Sequence, residues 1–153
     1  MPASFPSPTA AALATDGELV LKLAAIHKAA ESPWSVPAYV LDMRIGDLRV
    51  GSISLRISDA ERIRLYAGHV GFSVEPPRRG RGLAARAVRL LLPLARAHGL
   101  DPVWLTCEPG NLASRRTIER LGAEYAGTVP LPADYDAYRR GERHKRRYRL
   151  ALG

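Results

Sequence analysis

The residues best able to do chemistry lie between His69 and Ala84 and again between Asn111 and Gly122. In the first stretch, Arg78, Arg79, Gly80, Arg81 and Gly82 stand between a β-like alternation, Val70, Phe72 and Val74, and an amphipathic run that starts at Leu83. Pro76 and Pro77 end the alternation, because neither can donate to a ladder. Strand, bare loop and helix in that order let main-chain N–H groups converge at a helix N-terminus. No intrahelical carbonyl uses them there, and the helix dipole is positive, so the expected chemistry is phosphate binding.

Spacing separates the readings of this loop. Gly80-Arg81-Gly82-Leu83-Ala84-Ala85 matches the dinucleotide pattern G-x-G-x-x-G/A, but that fingerprint follows its strand directly and has an acidic residue about 20 positions later. Here prolines and arginines intervene, and the next strand ends only at Glu108. A P-loop needs Gly-Lys-Ser/Thr, which is absent. Among titratable groups, His69 has an ordinary pKa of ~6.5 and could accept a proton at neutral pH, or could be a structural histidine bonded within the fold. Glu75 at the proline boundary reads as exposed. Cys107 reads as a small buried core residue rather than a nucleophile.

These groups need elements to hold them. Glu18 to His27 carries both a strand and a helix pattern, and the breakers Ser32-Pro33 and Pro37 favour a first strand. Ala38 to Ile45 and Leu48 to Ile57 alternate around Gly46-Asp47, which predicts a hairpin. Ser58 to Arg64 reads as loop or a short turn. From Leu83 to His98 the residues Ala87, Leu90, Leu91, Leu94 and Ala95 recur at helical spacing before Gly99, with Pro93 predicting a kink or a tightened last turn. Val103 to Cys107 reads as a buried strand reached by a βαβ crossover, hence a parallel pair with the strand from Val70. A second helix runs from Ser114 to Leu121 and starts near Asn111. Strands follow at Ala123 to Val129 and Lys145 to Leu152, separated by a polar loop from Pro130 to Arg143.

The chain has 153 residues, Lys+Arg 23 against Asp+Glu 15, and a formal net charge of +8, which favours anionic ligands. One cysteine excludes an internal disulfide and a cysteine-rich metal site, and no metal is expected. Residues 1–16 read as a loose arm without the pattern of a signal peptide, and 17–153 as a single domain. No apolar run approaches the ~20 residues that span a bilayer, so the expectation is a cytoplasmic protein without a membrane partner.

Arg79-x-x-Gly82-x-Ala84 resembles the Q/R-x-x-G-x-G/A pyrophosphate loop of the GNAT N-acetyltransferases. Asn111-Leu112-Ala113-Ser114-Arg115-Arg116-Thr117-Ile118-Glu119-Arg120-Leu121-Gly122 looks like that family's N-x-x-S-x-x-x-x-E-K/R-x-G segment. Order, distance and residue types agree over Gly68 to Gly122. The version here is similar to compact members of unassigned substrate and, more loosely, to those acetylating ribosomal-protein N-termini. Before Tyr39 the resemblance is poor, which puts the family's first helices in doubt.

The resemblance implies an α/β (α+β) fold, with a central mixed twisted sheet of about 6–7 strands flanked by helices. It implies transfer of acetyl from acetyl-CoA to a primary amine, of a small molecule or a protein N-terminus, by direct attack. The cofactor-binding residues it points to are Phe72, Ser73, Val74, Arg79, Gly80, Arg81, Gly82, Leu83, Ala84, Asn111 and Ser114. The pyrophosphate falls on the N–H groups from Arg79 to Ala84, and the pantetheine inserts between splayed strands, Phe72 to Val74 and Leu105 to Cys107. Asn111 reads equally well as a helix N-cap. Arg78 and Arg81 read either as phosphate contacts or as solvated arginines.

Many members place a tyrosine one turn into the last helix as general acid; that position is Ile118 here. Tyr125, some other donor, or no dedicated acid all stay open. His69 is the candidate catalytic base. A homodimer is left open. The acceptor pocket falls to Ala25–Pro37, Ser58–Tyr66 and Pro130–Arg143, which carry no ligand signature. The alternative is a non-catalytic basic module of the same fold that binds nucleic acid, supported only by charge.

Overall fold

The computed structural model describes residues 14 to 152. The first half is an antiparallel meander of β1 (Ala14–Thr15), β2 (Leu19–His27), β3 (Ala38–Ile45), β4 (Leu48–Arg56) and β5 (Val70–Val74), paired in that order. The Glu18 to His27 ambiguity resolves as strand. Leu19, Leu21 and Leu23 face inward, and β3 takes up the main chain from Leu19↔Ile45 to His27↔Ala38. Most of the arm expected over residues 1–16 lies outside the described residues. Its last part is tied down: Ala14 and Thr15 pair with Leu21 and Val20, and Arg86 donates to both Asp16 carboxylate oxygens at 2.8 and 3.0 Å. That guanidinium holds the Asp16 carboxyl well below the usual carboxylate range.

One face of this sheet is the core. The helix α1 (Leu83–Ala97) lays Leu83, Ala87, Val88, Leu91 and Ala95 into a cluster with Leu21, Tyr39, Leu41, Ile53 and Leu55. Pro93 does not end the helix. It runs on to Ala97 and closes with the His98 N–H on the carbonyls of Leu94 and Ala95, the tightened last turn that proline predicts. Among the described residues the opposite face has no such helix, because only residues 28–37, with a 3-10 turn at Ala29–Glu31, separate β2 from β3. The doubt over the first helices is thereby settled for the described residues.

The second half forms a three-stranded antiparallel sheet. Its order is β6 (Val103–Cys107), β8 (His144–Leu150) and β7 (Glu124–Pro130), with α2 (Leu112–Arg120) following β6 and a short helix α3 (Asp136–Arg139) inside the loop read as polar. One mixed sheet with β5 and β6 as a parallel pair was the expectation. The α/β architecture with flanking helices is as expected, but among the described residues eight strands divide into two antiparallel sheets whose edge strands, β5 and β6, adjoin without a ladder. The cause lies at His69, just before β5. Its carbonyl accepts from the Arg56 N–H of β4 at 2.7 Å, and its own N–H donates to the Trp104 carbonyl at 2.7 Å. The Trp104 N–H then donates to the His69 imidazole Nδ1 at 2.9 Å rather than to a carbonyl of β5. A side chain thus replaces the next rung. Among the described residues, no main-chain hydrogen bond joins Val70–Val74 to β6. No helix among the described residues is long and apolar enough to cross a membrane.

Candidate functional site

The split between the sheets is clasped at one end and open beyond it. Gly68, at φ +72°, lies so close beneath β6 that a Cβ there would sit 3.0 Å from the Trp104 carbonyl oxygen and 3.1 Å from the Thr106 nitrogen. Thr106 Oγ1 donates to the Tyr66 carbonyl at 2.8 Å and adds a further tie. Past this clasp the outer edge of β5, from Phe72 to Val74, has no ladder partner, and neither has the facing edge of β6. Cys107 is 4% exposed, and burial pushes its thiol up, as fits a core residue.

The strand leads into the glycine loop. A 3-10 turn at Pro76–Arg78 is closed by the Arg78 N–H on the Glu75 carbonyl, and Arg79 Nε reaches back to the Val74 carbonyl at 2.9 Å. The Arg79 N–H, expected among the free donors, is engaged by the Pro76 carbonyl at 3.3 Å. The N–H groups of Gly80, Arg81, Gly82, Leu83, Ala84 and Ala85 find no main-chain or side-chain acceptor among the described residues. The first bond of α1 is that of Arg86 to the Gly82 carbonyl. Gly82 supplies the turn with φ +73°, and Arg120, from the end of α2, brings Nη1 to 3.2 Å of where a Gly82 Cβ would stand. Arg120 was not singled out from sequence, although it fills the K/R position of the Asn111 segment. Asn111 caps α2, its Oδ1 accepting from the Ser114 N–H at 3.1 Å, which leaves the amide nitrogen free to donate.

His69 is 1% exposed. Because Nδ1 accepts from the Trp104 N–H, the proton sits on Nε2 and is donated to the Ser58 carbonyl at 2.9 Å. Burial holds its pKa below the ordinary value. Both ring nitrogens are therefore committed to main chain, and neither has a lone pair to offer an incoming ammonium. Ile118 is fully buried. Tyr125 is 48% exposed, and its hydroxyl is bonded to Thr128 Oγ1 at 2.7 Å while its ring carries the Arg146 guanidinium at 4.3 Å.

The three segments assigned to the acceptor pocket do meet. Tyr135 from the loop after β7 stacks edge-on against Trp34, at 5.6 Å between ring centroids, and against Tyr66 at 5.0 Å. Arg62 locks the first two segments together through the carbonyls of Trp34 and Ser35. Beneath Trp34 a cleft of about 440 Å³ opens on the uncovered face of the first sheet, floored by Ser52, Ser54, Arg56, Gly71 and Ser73. The register explains this floor. Ser52↔Ser73 and Ser54↔Gly71 are cross-strand pairs on one face, while Ile53 and Leu55 point into the core.

Comparison with known proteins places these features in context. The sequence model of an acetyltransferase (GNAT) domain matches residues 9–124. No curated protein sequence matches significantly. Among solved structures, the chain is similar to the microcin self-immunity acetyltransferase MccE in complex with acetyl-CoA and AMP. The TM-score is 0.60, at 17% identity over 75% of this chain and 61% of that one. It is similar also to yncA of Salmonella typhimurium with its cofactor acetyl-CoA, with a TM-score of 0.57 and 20% identity over 76% and 65% of the two chains. A third is the Salmonella typhimurium acetyl transferase that modifies the N-terminal serine of a 50S ribosomal subunit protein, with a TM-score of 0.59 and 16% identity over 76% and 64%. The chain thus spans less than two thirds of the length of each of these proteins.

Proposed function

Because the chain belongs to the GNAT acetyltransferase family, we propose that it transfers acetyl from acetyl-CoA to a primary amine, of a small molecule or a protein N-terminus, by direct attack. The observation that carries this reading is the open edge of β5 running from the His69 clasp into a loop of uncommitted N–H groups. The residues fit the group. Gly80 to Ala85 offer six unused donors and a helix dipole to a pyrophosphate, with Arg81 and Arg120 at hand. The outer main-chain edge at Phe72, with the N–H of Val74, offers partners to the amide groups of pantetheine, and Asn111 offers its free amide nitrogen. Bound there, acetyl-CoA supplies a thioester carbon that a neutral amine can attack, with the C–S bond breaking and the sulfur taking a proton.

The protein's own part is binding and alignment. His69 contributes by fixing the separation of β5 and β6, as a positioning residue. No side chain in the cleft is assigned as base or as acid: the ammonium loses its proton to water in the open cleft, and only the neutral amine attacks. Proximity accounts for most of the rate gain in such a reaction, since it replaces a bimolecular encounter by an aligned pair.

The test is to incubate the protein with acetyl-CoA across pooled amines and peptides, following thiol release with a thiol-reactive dye and acetylated products by mass spectrometry. Amine-dependent release with a matching acetylated product is expected. Acetyl-CoA should also raise Tm, since a ligand at 100 times its Kd stabilises the fold by about 2.7 kcal/mol. Absence of both effects would overturn the reading.

A further inference from the structure

Arg56 sits in the floor of the cleft beneath Trp34 without a carboxylate. Both hydrogens of its Nη1 are spent, on the carbonyls of Ala67 and Gly68 at 3.0 Å each. Among the described residues no acidic group pairs with it, and loss of water around the guanidinium pulls it down to about 10. Nε and Nη2 have no acceptor among those residues either, and they form the side-on fork of the guanidinium, the geometry that takes a carboxylate with two parallel bonds. Nη2 lies 2.8 Å from where a Cβ on Gly71 would be, so the fork rests over β5 beside its open edge. A largely dehydrated cation without a counter-ion is costly, and the cost is relieved when an anion binds.

The walls say what else the acceptor carries. Trp34 and Val40 are apolar, Ser52, Ser54 and Ser73 bring hydroxyls, and no acidic side chain lines the cleft to hold an ammonium. Charge recognition in this cleft is therefore of an anion. We infer that the acceptor is a small amine bearing a carboxylate, of the amino-acid class, and that Arg56 binds the carboxylate while the amine faces the edge of β5 at Gly71. This rests on the acetyl-transfer reading above and names its substrate class. It replaces a protein N-terminus, whose first residue has no free carboxylate beside the amine.

The experiment uses the full chain and matched pairs, leucine with leucinamide and phenylalanine with phenylalaninamide, with kcat/KM referred to the unprotonated amine. The acid of each pair should be preferred by about 10-fold or more, as hydrogen bonds to a charged group dictate. Arg56→Gln should bring the ratio near one. Gly71→Ala should do the same by displacing the guanidinium with its new methyl group, and it serves where Arg56→Gln fails to fold. A structural role alone would lower both members of a pair equally. Binding is read separately: N-acetylleucine should raise Tm and N-acetylleucinamide should not. If N-acetylleucine binds through Arg56 but no amine is acetylated, the transfer reading falls and the anion site stands. If amines are acetylated with no preference for the acid, or if peptide N-termini are the better acceptors, this inference falls and the transfer reading stands.

Discussion

His69 spends both ring nitrogens on main chain, and that commitment governs how its replacement must behave. His69→Gln leaves the Trp104 N–H without the imidazole acceptor, and an unsatisfied buried donor costs about 1–3 kcal/mol, so Tm should drop. The folded fraction should keep the parent's pH–rate profile. A stable variant that loses an inflection in that profile would instead make His69 the base. Stability itself should depend on pH. Burial holds His69 and His98 below their ordinary value of 6.5, with Arg56 and Arg64 opposing and Asp59 favouring the charge on His69. The unfolded chain takes up these protons near pH 6.5 while the folded chain does not. Stability is therefore fully present above that pH and is lost as pH falls toward the folded pKa, at up to about 1.4 kcal/mol per pH unit for each histidine. Chemical denaturation at several pH values should show a shallower acid loss in His69→Gln. At the loop, Gly82→Asp tolerates φ +73° better than a β-branched residue would, and its carboxylate falls beside Arg120 in the place proposed above for a phosphate. It should fold and lose the Tm shift produced by acetyl-CoA. Undiminished affinity in that variant would mean the loop binds something else.

The clasp between β5 and β6 is a property of two elements, and Gly68 is where it is most sensitive. A methyl group there would press on main-chain atoms of β6 at 3.0 and 3.1 Å, in a backbone region that L residues disfavour. Gly68→Ala should lower Tm by about 4–16 °C, corresponding to about 2–4 kcal/mol in a domain of this size, and should weaken acetyl-CoA binding in whatever remains folded. A variant as stable as the parent would show that the two strands can shift apart freely. This element also marks the limit of what sequence could say. The alternation of Val70, Phe72 and Val74 and the apolar run Val103 to Cys107 identify both strands, and the loop and Asn111 segments identify the family. Nothing in either pattern shows that His69 replaces a ladder rung with its side chain, because periodicity reports which face is buried and not which edge is paired. The cleft beneath Trp34 was hidden for the same reason. Ser52, Ser54 and Arg56 read as the polar side of a strand, and only the short connection over residues 28–37 makes that side a floor. Arg120 was overlooked as one arginine among many, although its motif position held the signal.

At the scale of the molecule, the excess of basic residues separates into two populations. The dense run on and before β8 is largely spent within the fold: Arg149 pairs with Glu124 at 3.0 Å, Lys145 with Glu142 at 2.9 Å, and Arg139 with Asp136 at 3.2 Å. Others in the run lie on aromatic rings, Arg147 over Trp104 at 4.3 Å and Arg143 over Tyr138 at 3.8 Å. By contrast, the side chains of Arg78, Arg81, Arg116 and Arg120 have no hydrogen bond or ion pair among the described residues, and Arg81 and Arg120 stand at the glycine loop. Unspent charge gathered at one helix N-terminus suits a compact ligand with several phosphates better than a long polyanion, which needs cations spaced along a face. Duplex or single-stranded nucleic acid should therefore bind weakly. Neutralising only a few phosphates gives a shallow log–log dependence on salt, and binding should vanish by moderate salt. Saturating CoA should remove even the low-salt binding, because it occupies the same arginines. Titration of a labelled oligonucleotide at rising salt, with and without CoA, checks both points. Submicromolar affinity at about 150 mM salt that CoA does not displace would mean that the β8 arginines, despite their partners, form a nucleic-acid surface of their own.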